Sequence, residues 1–471
     1  MNSLNHPNSP PFIRGEETIA AIATAPGEGA VAIVRLSGPD SLRIANLVFS
    51  PAHGPCASQR TSHTACFGRV MSSQGRPLDE VLMLVMRGPH SFTGEDVVEF
   101  QGHGGRMASS RILKRMLECG ARPAEPGEFT RRAFLNGRMD MLQAESVLDL
   151  VRAQSDRAAS QAVEQMEGGL SRDVNAIYDL LLNSGTEIEA TLDFSEEDIP
   201  QHVIPESIRS ISSAIVNVDR LLASWNEGRA LREGIRVAIL GRPNAGKSSL
   251  FNLLLGHERA IVTPHPGTTR DTIEEPVSWG GWPVRLVDTA GLRETECAIE
   301  QEGVRRSRQQ QSAADLTLYV VDAHQPPHPD DRAYLATAPA EHTLLVLNKA
   351  DLGPHKDWES SGIINEKSFS IATQHAYRMI IIDFCTTVIN RIYSCPLPHA
   401  ASVSARHRAE LETAREGCRE AVERLTTEGA EGAVLACESL RLAMDALGRL
   451  TGRQYSRELT DSIFNRFCIG K

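Results

Sequence analysis

The feature that most constrains this chain is a glycine-rich motif between a short apolar run and a helix-compatible segment. Residues 241–248 have the sequence GRPNAGKS, which fits the pattern G-x-x-x-x-G-K-[ST]. The run IRVAIL precedes it and SLFNLLLG follows it. In this context the loop's backbone N–H groups and the helix N-terminus together surround phosphate oxygens. The sequence therefore predicts a P-loop nucleotide site.

Each residue type in this motif has an expected role. We expect Lys247 to reach the β- and γ-phosphates and act in catalysis, and Ser248 to bind Mg²⁺. The loop residues expected to contact the nucleotide are Asn244, Ala245, Gly246, Lys247, Ser248 and Ser249.

Two further motifs follow in the order found in GTPases. DTAG closes the run VRLVDT, and its expected nucleotide contacts are Asp288, Thr289, Ala290 and Gly291. Asp288 is expected to hold the water shell of the metal. In the intervening GTTRD, Thr268 or Thr269 is available as a second Mg²⁺ ligand, and we favour Thr269.

NKAD at residues 348–351 indicates which base binds. The Asp351 carboxylate can accept two hydrogen bonds from guanine, whereas adenine presents an acceptor there and leaves the carboxylate unpaired. Asn348 and Lys349 complete the motif. Alone, NKAD also fits an ordinary strand end with a solvated turn, but after the other two motifs it predicts GTP. The candidate for a fifth motif is SIAT at 370–373, within a segment (360–393) of unclear periodicity.

Apolar runs at 235–240, 284–287, 316–321 and 344–347 predict buried strands of a doubly wound sheet. Helical periodicity begins at Met141, before this block, and returns after it at Leu411. Because amphipathic helices cannot bury their apolar stripes alone, we expect an α/β block inserted into a helical domain, with two separate bundles as the alternative. Near the N-terminus, two β-branched runs within residues 18–38 predict a hairpin or paired strands of an α+β domain.

Composition limits the partners. The chain has 471 residues with 49 Lys and Arg against 60 Asp and Glu, a net charge of −11, so no global positive field attracts nucleic acid. The nine cysteines include no C-x-x-C pair, which favours reduced thiols in a cytoplasm. Apolar runs are too short to span a bilayer, so we expect a soluble protein with no membrane partner.

Five sequence blocks occur in one order around these motifs: TIAAIATAPGEGAVAIVRLSG (18–38), SFTGEDVVEFQGHGG (91–105), AEPGEFTRRAFLNGRMD (124–140), DFSEEDI (193–199) and FCIGK (467–471). With them, the chain resembles the MnmE (TrmE) family of bacterial tRNA-modification GTPases. The resemblance implies a multidomain fold with five parts: a flexible N-terminal tail (1–17), an α+β tetrahydrofolate-binding and dimerisation domain (18–137), an α-helical domain in two parts (138–232 and 398–471), and an inserted α/β GTPase domain with a doubly wound sheet (233–397).

The resemblance also implies an activity. The chain is expected to be the GTP-hydrolysing component of a complex that adds a carboxymethylaminomethyl-type group to C5 of the wobble uridine of certain tRNAs. The expected one-carbon source is 5-formyl- or 5,10-methylene-tetrahydrofolate. The expected partners are a second copy of the chain, the FAD-containing flavoprotein GidA (MnmG) and tRNA.

Site residues are implied where the motifs align. Arg35, Glu99, Arg138 and Lys471 are expected at the folate, with the carboxylate on the pterin and basic side chains on the glutamate tail. The family more often carries lysine at position 138. The alternative for Arg35, Glu99 and Arg138 is surface charge. Cys468 can act as a nucleophile or pack as a small apolar residue.

Hydrolysis also departs from the simplest GTPase pattern. The residue after DTAG is Leu292, whose apolar side chain cannot orient a water. The resemblance implies Glu300 in that role. It also implies a K⁺ site at the phosphates, formed by Asn244, Thr263, His265 and Thr268.

Residues 102–138 carry eight basic and three acidic side chains, a net charge of +5. This patch can hold tRNA phosphates, the partner or the folate tail, or it can be a solvated helix face. Two other functions compete with tRNA modification: a regulatory GTPase of ribosome assembly, and a folate-binding protein with incidental NTPase activity. Amphipathic helices and FCIGK after the nucleotide motifs, where an assembly factor carries a basic RNA-binding module, favour tRNA modification.

Overall fold

The structure is a computed structural model that describes residues 17–192, 202–256, 274–288, 314–360, 368–371, 377–393, 403–429 and 431–471. The chain divides into two compact units. The first contains residues 1–148 and 445–471, and the second contains residues 149–444.

The strands form one sheet in each unit. Their bounds are β1 Ile19–Ile22, β2 Val31–Ser37, β3 Phe49–Pro51, β4 Thr64–Met71, β5 Pro77–Met86, β6 Val97–His103, β7 Arg122–Pro123, β8 Ile235–Leu240, β9 Glu274–Trp279, β10 Trp282–Asp288, β11 Leu316–Asp322, β12 Thr343–Asn348 and β13 Ser368–Ser370.

The described helices include long amphipathic segments on both sides of the second sheet in the chain. Their bounds are α1 Ser41–Val48, α2 Arg106–Glu118, α3 Glu128–Leu135, α4 Met141–Arg152, α5 Asp156–Met166, α6 Gly169–Leu192, α7 Val203–Ala223, α8 Trp225–Glu233, α9 Lys247–Leu255, α10 Pro329–Thr337, α11 Asp357–Ser360, α12 Arg378–Tyr393, α13 Ala405–Thr427, α14 Ala433–Thr451 and α15 Arg457–Phe464. No helix in the described ranges combines the length and the apolar character that a bilayer crossing requires.

The sheet of the first unit has the strand order β3-β4-β5-β6-β2-β1-β7. Strands β1 and β2 are antiparallel, with Ala21 opposite Arg35, so the predicted pairing within residues 18–38 is confirmed. Alternate residues of β2 point to opposite faces. Val34 and Leu36 join the core formed with α1 and α2, which leaves Arg35 on the other face of the sheet.

The sheet of the second unit has the order β13-β12-β11-β8-β10-β9, and among these described strands only β9 pairs antiparallel. The four predicted buried strands are confirmed as β8, β10, β11 and β12. Both faces are covered. Val237 and Ile239 of β8 pack in the cluster that contains residues of α9 and α12, whereas Ala238 and Leu240 pack in the cluster that contains Trp358 of α11. The sheet is therefore doubly wound, as predicted.

Helices before and after this sheet pack on each other. Helix α13 buries Leu411 and Cys418 and contacts α7, where Arg415 is 3.2 Å from Asp219. At Gly417, a Cβ would lie 2.6 Å from the Ser439 carbonyl oxygen of α14, so glycine permits the close approach of the two helices. The α/β block is thus an insertion between helices that pack together, and the alternative of two separate bundles is wrong.

An arginine joins the helical segments to the second sheet. Arg157 of α5 lies 4.2 Å from the centroid of the Trp282 ring at the start of β10. It is also ion-paired with Glu227 of α8, a carboxylate that is 2% exposed. The Trp282 indole nitrogen donates to the Asn390 side-chain oxygen of α12 at 2.9 Å. Arg157 therefore connects α5 to α8 and β10, and Trp282 connects β10 to α12.

Replacing Arg157 by leucine should lower the free energy of unfolding by about 2 kcal/mol, because a buried carboxylate loses its guanidinium. The matched control is Arg408→Leu, since Arg408 lies 5.6 Å from the Trp225 ring and pairs with Glu412, a carboxylate that is 41% exposed. It should lose only about 0.5 kcal/mol. Thermal unfolding of the full chain measures both, and equal losses would contradict this account of Arg157.

Candidate functional site

The loop after β8 has the conformation that its glycines permit. Gly241 has a φ of +140°, and a Cβ there would lie 2.1 Å from the Val320 carbonyl oxygen of β11. Gly246 has a φ of +97° and immediately precedes α9, which begins at Lys247. Asn244 adopts a left-handed φ of +63°, which asparagine tolerates better than most residues. The predicted strand–loop–helix arrangement is therefore present, with the helix N-terminus facing the loop.

The groups expected to bind phosphate lie at this helix start. The Lys247 ammonium donates to the Arg242 carbonyl oxygen at 2.8 Å, across the loop. Ser248 and Ser249 are exposed in the first turn of α9, and Ala245 is buried. Backbone N–H groups in a first helical turn have no partner within the helix, so this end of α9 can donate to an anion.

The guanine-specific motif is bonded to the phosphate loop. Asn348, at the end of β12, is 1% exposed, and its amide nitrogen donates to the Ala245 carbonyl oxygen at 2.9 Å. Lys349 has a φ of +62° and donates to an Asp322 carboxylate oxygen at 2.8 Å. Asp351 is exposed in the one-turn helix that follows. The structure thus brings the first and last of the three nucleotide motifs together.

The sequence did not predict that the NKAD turn is hydrogen-bonded to the residue that follows β13. The backbone N–H of Ala350 donates to the carbonyl oxygen of Ile371 at 3.0 Å, and the Ile371 N–H donates to Leu347 at 2.8 Å. Ser370 and Ile371 are the first half of the SIAT candidate, so half of the predicted fifth motif lies beside NKAD. Ala372 and Thr373 lie outside the described residues.

The metal ligands are only partly described. Asp288 ends β10, and its backbone pairs with Ile239 at the end of the strand that precedes the P-loop. Serine hydroxyl and aspartate carboxyl oxygens are the ligands Mg²⁺ prefers, so Ser248 and Asp288 fit the expected ion by chemical type. The other expected residues lie outside the described ranges: Thr263, His265, Thr268, Thr269, Thr289, Ala290, Gly291 and Glu300. Their roles stay predictions.

Gly246→Ala should abolish the link between the two motifs. A Cβ at this position would lie 2.0 Å from the Asn348 amide nitrogen, so the amide must leave its bond to Ala245. We expect GTP affinity to fall by roughly tenfold or more, the cost of losing a buried hydrogen bond at the site. Equilibrium binding of a fluorescent GTP analogue measures the change.

The control is Gly429→Ala, where φ is +58° and no atom lies within 4 Å of the added Cβ. Both variants carry the backbone strain of alanine at positive φ, which costs roughly 1–2 kcal/mol. Only Gly246→Ala should lose GTP affinity. Wild-type affinity in that variant would show that Asn348 does not align the phosphate loop.

The first unit contains a second cluster of expected site residues. The Arg35 Nε on β2 donates to a Glu99 carboxylate oxygen on β6 at 2.7 Å, and the two residues are in register. Their side chains are 20% and 11% exposed, so neither is a solvated surface charge. The guanidinium also lies 5.8 Å from the Phe92 ring and 5.5 Å from the Phe129 ring. A carboxylate, a cation and two aromatic rings therefore occupy one face of the sheet.

Arg138 is tied to the same region through the turn that carries Phe92. Its Nε donates to the Ser91 carbonyl oxygen at 3.0 Å. Gly94 has a φ of +78° in this turn, and a Cβ there would lie 3.3 Å from the Arg138 side chain. Arg138 is thus bonded to the residue that precedes Phe92, whose ring lies near Arg35.

The C-terminal residues pack against the end of strand β1 in this sheet. Ile469 forms a backbone bridge with Pro126. Gly470 has a φ of +94°, and a Cβ there would lie 2.5 Å from the Ile22 carbonyl oxygen at the end of β1. The Lys471 N–H donates to the Cys468 carbonyl oxygen at 3.3 Å, and the Cys468 side chain is an exposed free thiol. FCIGK therefore ends beside the strand that neighbours β2.

A buried ionic network beside this region was not predicted. Arg132 of α3 is 7% exposed and contacts both Glu128 and Glu95, and Arg122 pairs with Glu128 at 2.6 Å. Burial alone would raise the pKa of Glu128, but hydrogen bonds from Arg122, the Glu125 backbone and Arg132 hold that pKa below its ordinary value. Glu128 and Arg132 of the GEFTRR block thus form structural ion pairs, and their (i, i+4) Glu–Arg spacing was the available signal.

Comparison with known proteins identifies the family of the chain. A family described as "GTP-binding protein TrmE N-terminus" matches residues 18–138, and one described as "MnmE helical domain" matches residues 141–468, more than half of the chain. This chain belongs to the MnmE family. The relatives that this chain matches are named tRNA modification GTPases, and the chain is accordingly a multidomain GTP hydrolase.

Three MnmE relatives illustrate the extent of the similarity. The protein of Symbiobacterium thermophilum is 44% identical over 463 residues, which cover 97% of this chain and 100% of the relative. That of Moorella thermoacetica is also 44% identical with the same coverage. That of Akkermansia muciniphila is 41% identical over 97% of this chain and 99% of its own length. The family likeness therefore includes both units.

Proposed function

We propose that this chain is the GTP-hydrolysing component of the complex that adds a carboxymethylaminomethyl-type group to C5 of the wobble uridine of certain tRNAs. Family membership supports the coarser function, a GTPase in tRNA modification. The observation that carries the finer proposal is the presence of two polar sites in one chain: a P-loop bonded to NKAD, and the Arg35–Glu99 pair between aromatic rings. A regulator of ribosome assembly has no evident use for the second.

At the nucleotide site, the proposal assigns the following roles. Lys247 and the start of α9 bind the phosphates, and Asp351 accepts two hydrogen bonds from guanine. Ser248 and Thr269 would bind Mg²⁺, which neutralises phosphate charge when bound, and Asp288 would hold the water shell of the ion. We further propose a K⁺ site formed by Asn244, Thr263, His265 and Thr268, and we propose that Glu300 orients the attacking water.

At the second site we propose a tetrahydrofolate derivative. The residues present fit this group. The Glu99 carboxylate can accept hydrogen bonds from the amide and amine edge of a pterin. Arg35, which is bonded to Glu99, lies near the flat rings of Phe92 and Phe129. Arg138 and Lys471 would bind the acidic tail. When bound, the folate supplies a one-carbon unit. The exposed Cys468 thiol lies in the same terminal segment and is proposed as a nucleophile.

The remaining proposals concern organisation and partners. We propose that residues 18–137 bind the folate and dimerise, that 138–232 and 398–471 form the helical domain, and that 233–397 form the GTPase domain. The expected tail at residues 1–17 lies outside the described residues, except for Glu17. The chain is proposed to act in the cytoplasm with the flavoprotein GidA (MnmG), whose FAD supplies the redox step, and to bind tRNA.

Asp351→Asn should change which nucleotide binds. The amide donates where guanine also donates, so GTP affinity should fall by roughly 100-fold or more, while xanthosine triphosphate, with an acceptor there, should bind better. The control is Asp357→Asn, an exposed carboxylate in α11. Competition binding with both nucleotides measures the change. Undiminished GTP affinity in Asp351→Asn would remove Asp351 from the base site.

Glu99→Gln should weaken binding of 5-formyl-tetrahydrofolate by roughly 10- to 100-fold, because a charged hydrogen bond is replaced by a neutral one. The matched control is Glu80→Gln on β5. Glu80 pairs with Arg69 across neighbouring strands at 2.9 Å, but both side chains are about half exposed. Calorimetric titration should show a loss only for Glu99→Gln.

The same two variants test the whole function in cells that lack this chain. Mass analysis of tRNA nucleosides should show the modified wobble uridine restored by the wild type and by Glu80→Gln, and not by Glu99→Gln. Absence of the modified nucleoside even with the wild type would refute the proposed function. Full restoration by Glu99→Gln would refute the folate assignment alone.

A further inference from the structure

The structure divides the basic side chains of residues 102–138 into two groups. Five are engaged within the first unit: Arg115 with Glu118, Arg122 with Glu17 and Glu128, Arg131 with Asp461, Arg132 with Glu95 and Glu128, and Arg138 with the Ser91 carbonyl oxygen. Four of these residues neutralise acids, and Arg138 belongs to the proposed folate site, so most of the positive charge that the sequence concentrates here is already committed.

The other three cations lie on α2. Arg106, Arg111 and Lys114 are all exposed, and none of them forms an ion pair with any residue in the described ranges. At about 100° per residue they fall within an arc of roughly 140° around the helix. The opposite side of α2 is anchored in the core by Ile112 and Met116. The three cations therefore share one outward face, which we call the α2 face.

No acid interrupts the α2 face until its end. Helix α2 contains a single acidic residue, Glu118, and Arg115 already pairs with it at 3.3 Å. The other exposed side chains between the cations are Ser110 and Met107, which is 73% exposed. The cations extend over roughly 12 Å along the axis, about three to four phosphate steps of 3.4 Å on one nucleic-acid strand. In a chain with a net charge of −11, this is a local positive stripe.

We propose that the α2 face binds the phosphate backbone of the tRNA substrate. This inference rests on the proposed function, because tRNA is the polyanion on which that function acts. Charge complementarity favours RNA phosphates as the occupant. The face offers three separated, exposed cations, none of them ion-paired with an acid in the described ranges, and such cations suit contacts that fix orientation without reading sequence. Binding through Arg106, Arg111 and Lys114 should therefore be similar for different tRNAs and sensitive to salt.

The test removes the three charges together. Arg106→Gln, Arg111→Gln and Lys114→Gln are combined in the full chain and compared with a control that combines Arg209→Gln, Arg424→Gln and Arg441→Gln. The control residues are exposed helix cations, each with a nearby acidic partner. Because each variant replaces three cations by glutamine, both proteins lose the same net charge. Filter binding of purified tRNA is measured over a series of KCl concentrations, and the basal GTPase rate of each protein is measured in parallel.

We expect the α2 variant to bind tRNA at least tenfold more weakly at low salt and the control to stay within twofold of wild type. The slope of log K against log salt should fall by about 2, since each lost phosphate contact contributes roughly 0.7–0.9. Basal GTP hydrolysis should be unchanged in both. The combined variant Arg106→Lys and Arg111→Lys keeps the charges, and it should keep wild-type binding and slope.

Several results would overturn the proposal: an unaltered slope in the α2 variant, an equal loss in the control, or wild-type protein that does not bind tRNA. If the α2 variant keeps its tRNA affinity but no longer binds a purified protein partner, the face is a protein-docking surface. Failure here is distinguishable from failure of the proposed function. Nucleoside analysis can show wobble modification restored by the α2 variant as fully as by the wild type, which would dismiss the α2 face and leave the proposed function intact.

Discussion

The second unit depends on the packing of α13 against α7. These helices lie on opposite sides of the sheet in the chain, and each carries an apolar stripe that it cannot bury alone. Because the stripes bury each other, the chain must leave the helical layer, form the sheet and return to the same layer. The GTPase sheet therefore lies in the chain between two helices that pack together, and Arg157 adds a side-chain contact to the start of β10.

Both candidate sites are positioned by backbone contacts that exclude a side chain. At Gly241 the P-loop passes against the Val320 carbonyl oxygen, and at Gly470 the chain terminus passes against that of Ile22. In each case the missing Cβ of glycine allows a segment that carries polar groups to approach a strand closely. The functional side chains then need little freedom of their own, which reduces the entropy lost when a ligand binds.

The sequence predicted those parts of the molecule that follow a simple period or a fixed motif. The four buried strands and the P-loop were predicted because an apolar run and a glycine spacing are local signals. Strand β9 was not, because it begins with two glutamates and a proline and lies at the sheet edge. Helix α12 was unclear because apolar residues occur consecutively at 379–382, with Met379 and Ile380 exposed. The ion pairing that divides the basic patch depends on tertiary contacts such as Arg131 with Asp461, 330 positions apart, which no local pattern encodes.

The hydrogen bond from Asn348 to Ala245 has a thermodynamic consequence for ligand recognition. It makes the base-reading turn and the phosphate loop one mechanically continuous unit, so that ordering either half lowers the entropic cost of ordering the other. By reciprocity, guanosine should tighten the hold on inorganic triphosphate by the same factor by which triphosphate tightens the hold on guanosine. The affinity for the base and the affinity for the phosphates are therefore thermodynamically coupled in this protein.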